Sequence, residues 1–114
     1  MTGQKVGYIR VSTMDQNYER QLENIELDEV FTEKISGKNQ NREQLQLCLK
    51  YLRSGDTLYV HSLDRLARSL RDLENIVQDL ISRNVTVVFY NENLTFDANN
   101  KNSFGTLLFQ ILGA

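Results

Sequence analysis

Apolar positions along the chain switch between two periods, and the switching predicts strands alternating with helices. Lys5 to Val11 (KVGYIRV) is a short β-rich run and reads as a first strand. Ser12-Thr13-Met14-Asp15 then offers several N-cap candidates. Tyr18 to Leu27 sets Tyr18, Leu22 and Ile25 at helical spacing, with Glu19, Glu23 and Glu26 on a solvated face. Glu29 to Thr32 reads as a second strand, and the polar Glu33 to Asn41, containing Ser36-Gly37, as a loop. Asn41 is a candidate cap for a helix from Arg42 to Arg53, striped by Leu45, Leu49 and Leu52 and closed by Ser54-Gly55-Asp56. Thr57 to Val60 is the next strand. His61-Ser62-Leu63-Asp64-Arg65 leads into one long helix through Arg83, with Leu70, Leu73, Ile76, Val77, Leu80 and Ile81 turned inward. Thr86 to Tyr90 is almost continuously apolar, as in a strand buried on both faces. Asn91 to Asn102 reads as an Asn-rich polar loop, and a last helix runs from Ser103 through Leu107, Leu108, Ile111 and Leu112.

This alternation predicts one α/β domain over residues 1–114: three layers, with a mostly parallel central sheet of about four to five strands and helices on both faces. No repeat or linker interrupts it. The last apolar stripe (Phe104, Leu107, Leu108, Ile111) predicts a partner helix, and the pattern is that of a piece of something longer.

Composition narrows the classes. With 40% hydrophobic and 25% charged residues the chain is an ordinary globular one, large enough to bury a core without staples. The lone cysteine, Cys48, lies in an apolar helical stretch and reads as a reduced core thiol, which points to a cytoplasmic location. There is no signal-peptide pattern and no apolar run long enough for a membrane span. The single His and scattered carboxylates give no metal-ligand spacing, so neither metal nor other cofactor is expected. The net charge of −2 does not announce a nucleic-acid binder, so local arginines must make that case.

Two clusters carry chemistry. In Tyr8-Ile9-Arg10-Val11-Ser12-Thr13 a strand ends in Arg-x-Ser, so period-two alternation sends Arg10 and Ser12 to the same side at the carboxyl edge of the sheet. A guanidinium beside a hydroxyl suits phosphate, the one neutralising charge and the other free to attack. The same pattern is also that of a serine capping the next helix. In Leu63-Asp64-Arg65-Leu66-Ala67-Arg68 the two arginines lie one helical turn apart, near a helix N-terminus whose dipole already disfavours cations; an anion bound there would relieve that cost. An ordinary salt-bridged helix start reads the same way. Lys34-Ile35-Ser36-Gly37 followed by Arg42 is a weaker signal, a polar loop able to close over a phosphate.

Gly7-Tyr8-Ile9-Arg10-Val11-Ser12-Thr13 with Asp15-Gln16 and Gln21 resembles the opening of the resolvase/invertase family of serine recombinases. Phe31-Thr32-Glu33-Lys34-Ile35-Ser36-Gly37 with Asn41-Arg42-Glu43 resembles that family's next block, and Leu63-Asp64-Arg65-Leu66-Ala67-Arg68 its arginine-rich block. The three blocks occur in order and span nearly the whole chain; Ala67 stands where many members have Gly.

The resemblance implies a resolvase-like catalytic domain that cleaves and rejoins double-stranded DNA by serine transesterification through a 5′-phosphoserine. Ser12 is then the nucleophile, Arg10 and Arg68 contact the scissile phosphate, Arg65 and Arg42 complete the cationic cage, and Asp64 positions arginines. Gln16, Gln21, Lys34 and Ser36 become substrate-binding groups. It further implies a homodimer that assembles to a tetramer at the synapse. The rest of the long dimerisation helix and a helix-turn-helix DNA-binding domain, both family features, are absent from these residues. Arginines would take the place of metal ions at the charged transition state. No proton acceptor for the serine is legible, and His61, a lone His near a strand end, reads as incidental. The alternatives are a non-catalytic phosphate- or DNA-binding module on the same fold, which the retained arginines oppose, and a nucleotide-binding domain, for which no Gly-rich loop is present.

Overall fold

A computed structural model of the chain describes residues 3–12, 22–35 and 41–98. Five strands form one sheet in the order β2-β1-β3-β4-β5. They are β1 (Lys5–Ser12), β2 (Glu29–Ile35), β3 (Thr57–Val60), β4 (Thr86–Phe89) and β5 (Leu94–Phe96). The first four pair in parallel and β5 runs antiparallel along the β4 edge. Three helices are described: α1 (Glu43–Tyr51), α2 (Leu63–Leu66) and α3 (Leu70–Ser82).

Register explains the core. Val6, Leu58 and Val87 lie side by side across the sheet, and so do Tyr8, Val60 and Phe89. All six are fully buried, and they pack with Leu45, Cys48 and Leu52 from the α1 segment, Leu66 of α2, and Leu73, Ile76, Val77, Leu80 and Ile81 of α3. On the other face of β1, Ile9 and Val11 pack against Leu22, Ile25 and Leu27. Gly7 permits that approach, because a Cβ there would sit 2.6 Å from a Leu27 methyl.

The mostly parallel sheet with helices is the architecture expected, and four of its strands lie where the pattern puts them. The differences have physical causes. β2 runs on to Ile35, beyond the expected Thr32, because it pairs with β1 along its whole length. The stretch read as one loop from Asn91 contains β5: Leu94 and Phe96 alternate inward and Asn93 turns the chain at positive φ. Leu22–Ile25 is a turn rather than helix, and the remainder of that expected helix, like the last one, lies outside the described residues. The three described helices all pack on the Tyr8 face of the sheet.

The expected long helix from Leu63 to Arg83 is in fact two. Ala67 and Ser69 are extended (φ −130° and −154°), and α3 starts afresh at Leu70. Ser69 makes the break stable by accepting a hydrogen bond from the Asp72 amide, so the new helix has its own N-cap. Arg65 and Arg68 therefore do not share one helical face.

Candidate active site

Because β1 is flanked by β2 on one side and β3 on the other, the chain leaves its C-terminal end in one direction and returns in the opposite one. That reversal makes the carboxyl ends of β1 and β3 a topological switch point, the position where open α/β sheets bind ligands in a crevice. Arg10 and Ser12 end β1, and α2, carrying Asp64 and Arg65, follows β3 directly.

The two segments interlock through their arginines. The Arg10 guanidinium donates from Nη2 to the Asp64 backbone carbonyl, and Arg65 donates from Nη1 to the Arg10 carbonyl at 3.1 Å. Residues 54 and 55 positions apart in sequence thus hold each other at one rim. The Asp64 carboxylate is occupied differently: it accepts the Ser62 hydroxyl at 2.6 Å. That hydrogen bond, together with the nearby charges of Arg65 and Arg10, keeps the Asp64 carboxyl below its ordinary range. Asp64 thus meets Arg10 through its main-chain carbonyl while its carboxylate holds the Ser62 hydroxyl. The ring of His61 comes only within 3.4 Å of the Ser62 hydroxyl and lies tilted against Tyr90.

A second group surrounds Asp72. Its carboxylate clasps Arg42 through two contacts, 2.6 Å and 3.3 Å, and accepts the Arg68 backbone amide at 3.0 Å. Burial raises the Asp72 carboxyl, but the Arg42 hydrogen bond and the Arg42 and Arg68 charges outweigh it, and the net shift is downward. The Arg68 side chain is exposed and, with Asp64, edges an open, largely apolar groove of about 290 Å³ floored by Leu63, Leu70 and Leu73.

A third group lies beneath. Glu33, 4% exposed, sits beside Arg10 in register. It accepts the Tyr8 hydroxyl at 3.0 Å and the first amides of α1, Gln44 and Leu45, at 3.0 Å each. Glu33 thereby performs the capping expected of Asn41, and performs it from a neighbouring strand. Burial, then the charge of Glu33, push the Tyr8 phenol far above its usual range, so it stays a neutral donor.

Of the residues singled out in the sequence, the structure gathers Arg10, Asp64 and Arg65 directly and links Arg42 to the Arg68 main chain through Asp72. The Ser12 backbone ends β1 two residues beyond Arg10, while its side chain, Gln16, Gln21 and Ser36 lie outside the described residues. Lys34 pairs in register with Val11 and is exposed on the sheet face opposite Arg10 and Glu33. Asp72 and Glu33 were not legible as site residues. The Ser69-x-x-Asp72 spacing is a helix-start signal that could have located Asp72, and Glu33 falls on the inward positions Phe31-x-Glu33 of a strand. Among the described residues no three His, Cys, Asp or Glu side chains gather to hold a metal, and no helix is long and apolar enough to cross a membrane.

An α/β sheet whose switch point is rimmed by interlocked arginines beside a strand-ending serine defines a class, and comparison with known proteins agrees with it: the chain belongs to the family described as resolvase, N-terminal domain, which matches residues 5–114. It is 49% identical over 114 residues to the transposon Tn21 resolvase of Escherichia coli and 38% identical over 112 residues to the DNA-invertase hin of Salmonella typhimurium. Those matches take in 100% and 96% of this chain but only 61% and 57% of the relatives, so the chain spans about three-fifths of their length. Among solved structures, the N-terminal catalytic domain of TP901-1 integrase superposes with a TM-score of 0.62 at 25% identity, covering 96% of this chain and 91% of that one. A resolvase family site-specific recombinase from Streptococcus pneumoniae shares the fold, with a TM-score of 0.70 at 20% identity over 93% of this chain and 83% of its own.

Proposed function

We propose that these residues form the catalytic domain of a serine site-specific DNA recombinase of resolvase/invertase type. The observation that carries this reading is the mutual arginine–carbonyl interlock of Arg10 with the Asp64-Arg65 segment, which brings two cations to the strand end that bears Ser12. The relatives named as resolvases and invertases support the same reaction class.

In this reaction the Ser12 hydroxyl attacks a DNA phosphodiester. The bond from phosphorus to the 3′ oxygen breaks, a 5′-phosphoserine forms, and the 3′ oxygen leaves as a hydroxyl. Attack by a 3′-hydroxyl of the exchanged strand reverses the step, so bond energy is kept and no nucleotide triphosphate is consumed. Negative charge spread over the equatorial oxygens is what the enzyme must stabilise, and guanidinium groups do so in a forked geometry. Arg10 and Arg68 take the scissile phosphate, Arg65 and Arg42 complete the cage, and Asp64 holds Arg10 in place. Gln16, Gln21 and Ser36 assist by hydrogen bonding, whereas Lys34, within β2 and on the sheet face opposite Arg10, stands apart from the phosphate. The working assembly is a homodimer that pairs to a tetramer on double-stranded DNA in the cytoplasm, completed by a longer dimerisation helix and a helix-turn-helix domain.

The test is covalent trapping on a recombination site carrying a nick that prevents resealing. The full-length protein forms a protein–DNA adduct, and Ser12→Ala abolishes it while leaving the domain folded by circular dichroism. An adduct that persists in Ser12→Ala assigns the attack to another residue, with Ser36 the first to examine.

A further inference from the structure

We propose that Asp72 is a positioning residue, fixing Arg42 for the phosphate and tying it to the segment that carries Arg68. This rests on the recombinase reading above.

Neither arginine is fixed by regular structure of its own. Arg42 precedes the first turn of α1 with φ −106° and ψ 61°, and its own side chain makes no cap. Arg68 lies in the extended break between α2 and α3. Asp72, by contrast, stands in the first turn of α3, a thirteen-residue helix whose inward side chains are buried, and its amide is held by Ser69. One carboxylate on that firm base receives both Nη groups of Arg42 and the main-chain amide of Arg68. The pair is largely withdrawn from solvent, with side-chain exposures of 12% for Arg42 and 23% for Asp72, so the contact is not a loose surface ion pair.

The geometry of the fork decides between holding and sequestering. A carboxylate that meets both Nη atoms uses one hydrogen of each. The Nε hydrogen and the remaining hydrogen of the Nη beside it form a second edge, which a phosphate can still engage. Asp72 therefore removes rotational freedom from Arg42 without using up its donors. Positional freedom matters here, because a misplacement of about 1 Å in a charge-stabilising group costs on the order of 100-fold in rate.

The experiment is a double-mutant cycle in the full-length protein, reading adduct formation on a nicked site at saturating DNA, with DNA affinity and thermal midpoint measured alongside. Asparagine at position 72 keeps an acceptor for the Arg68 amide but turns an NH₂ toward one Nη of Arg42. Asp72→Asn is expected to slow cleavage by about 10- to 100-fold with DNA affinity unchanged. It should add nothing on an Arg42→Ala background, since Asp72 acts through Arg42. Asp72→Glu should recover part of the rate. Cleavage by Asp72→Asn that is equal to or faster than wild type overturns the proposal and marks the contact as inert or as a latch. Fully multiplicative effects in the cycle, or losses that follow the thermal midpoint alone, overturn it in favour of a purely structural role. Wild-type protein that forms no adduct overturns the recombinase reading and this one with it, whereas wild-type adduct with an indifferent Asp72→Asn overturns this one alone.

Discussion

Glu33 shows how much one buried carboxylate can organise. It faces the same side as Tyr8, receives that hydroxyl, and satisfies two amides at the start of α1 that would otherwise be orphaned. Its removal leaves three donors without partners in a buried setting, each with a desolvation cost. Glu33→Ala is expected to destabilise the fold by about 3 kcal/mol, measured by urea unfolding. It also predicts a change in titration. With Glu33 present, the folded Tyr8 phenol ionises well above the unfolded value of about 10, so stability is full below that pH and falls as pH rises beyond it. Without Glu33, Tyr8 should ionise closer to the ordinary range, seen as added phenolate absorbance before unfolding; an unchanged curve would mean that burial alone governs it. In the sequence Glu33 reads as the first residue of a polar loop, and only the extension of β2 to Ile35 turns it inward. Arg10, Ser12 and Arg65 were legible because a strand end and a helix start are local features. Glu33 and Asp72 were not, because the side chains they hold stand far off in sequence: Tyr8 lies 25 positions from Glu33 and Arg42 lies 30 from Asp72, and only the tertiary fold brings them close. Cys48 was legible for the opposite reason: burial among apolar neighbours needs no specific partner, and burial pushes its thiol up to about 12.

At the level of elements, the informative feature is the break between α2 and α3. Hydrophobic periodicity continues across it, since Leu63, Leu66, Leu70 and Leu73 keep helical spacing, so a periodicity argument reads one helix where there are two. The contrary signal was Ser69 followed by Asp72, a capping arrangement inside the apparent helix. The break is what lets Arg68 leave the helical axis and reach the groove edge, and it lets its amide bind Asp72 in place of a carbonyl one turn back. Ser69→Ala removes the cap and should cost about 1 kcal/mol in urea unfolding. Because α2 has only four residues, the loss should fall on the α2–α3 junction, seen as faster amide exchange at Arg68 and Asp72. Exchange that accelerates uniformly through α3 would instead indicate that the cap stabilises the whole helix. The edge strand β5 was missed for a related reason: three residues with only two inward positions are too short to rise above an Asn-rich background.

For the molecule as a whole, charge and topology pull in different directions. The switch point gathers arginines at one rim, yet the chain carries a net charge of −2, and three of the four site arginines have engaged side chains: Arg10 and Arg65 by carbonyls, Arg42 by a carboxylate. Non-specific affinity for DNA scales with the number of phosphates neutralised, because each releases condensed counterions. Four arginines, two interlocked at one strand end and two joined through Asp72, reach few phosphates at once, whereas affinity and site choice need contacts spread along the duplex. The arrangement suits a domain that acts on a phosphate delivered to it. These 114 residues alone should therefore bind a labelled duplex weakly, with a dissociation constant of about 0.1 mM or higher at physiological salt and no preference for sequence. Anisotropy titrations across roughly 50 to 200 mM salt should give a log–log slope no steeper than about −4, the value for four neutralised phosphates. Replacing Arg10, Arg65 and Arg68 together by alanine should flatten that slope, since most of the released counterions are theirs. Tight, site-selective binding by this chain would place the recognition surface within these residues, on a face other than the arginine rim, and would mean that this rim is not where the duplex is first held.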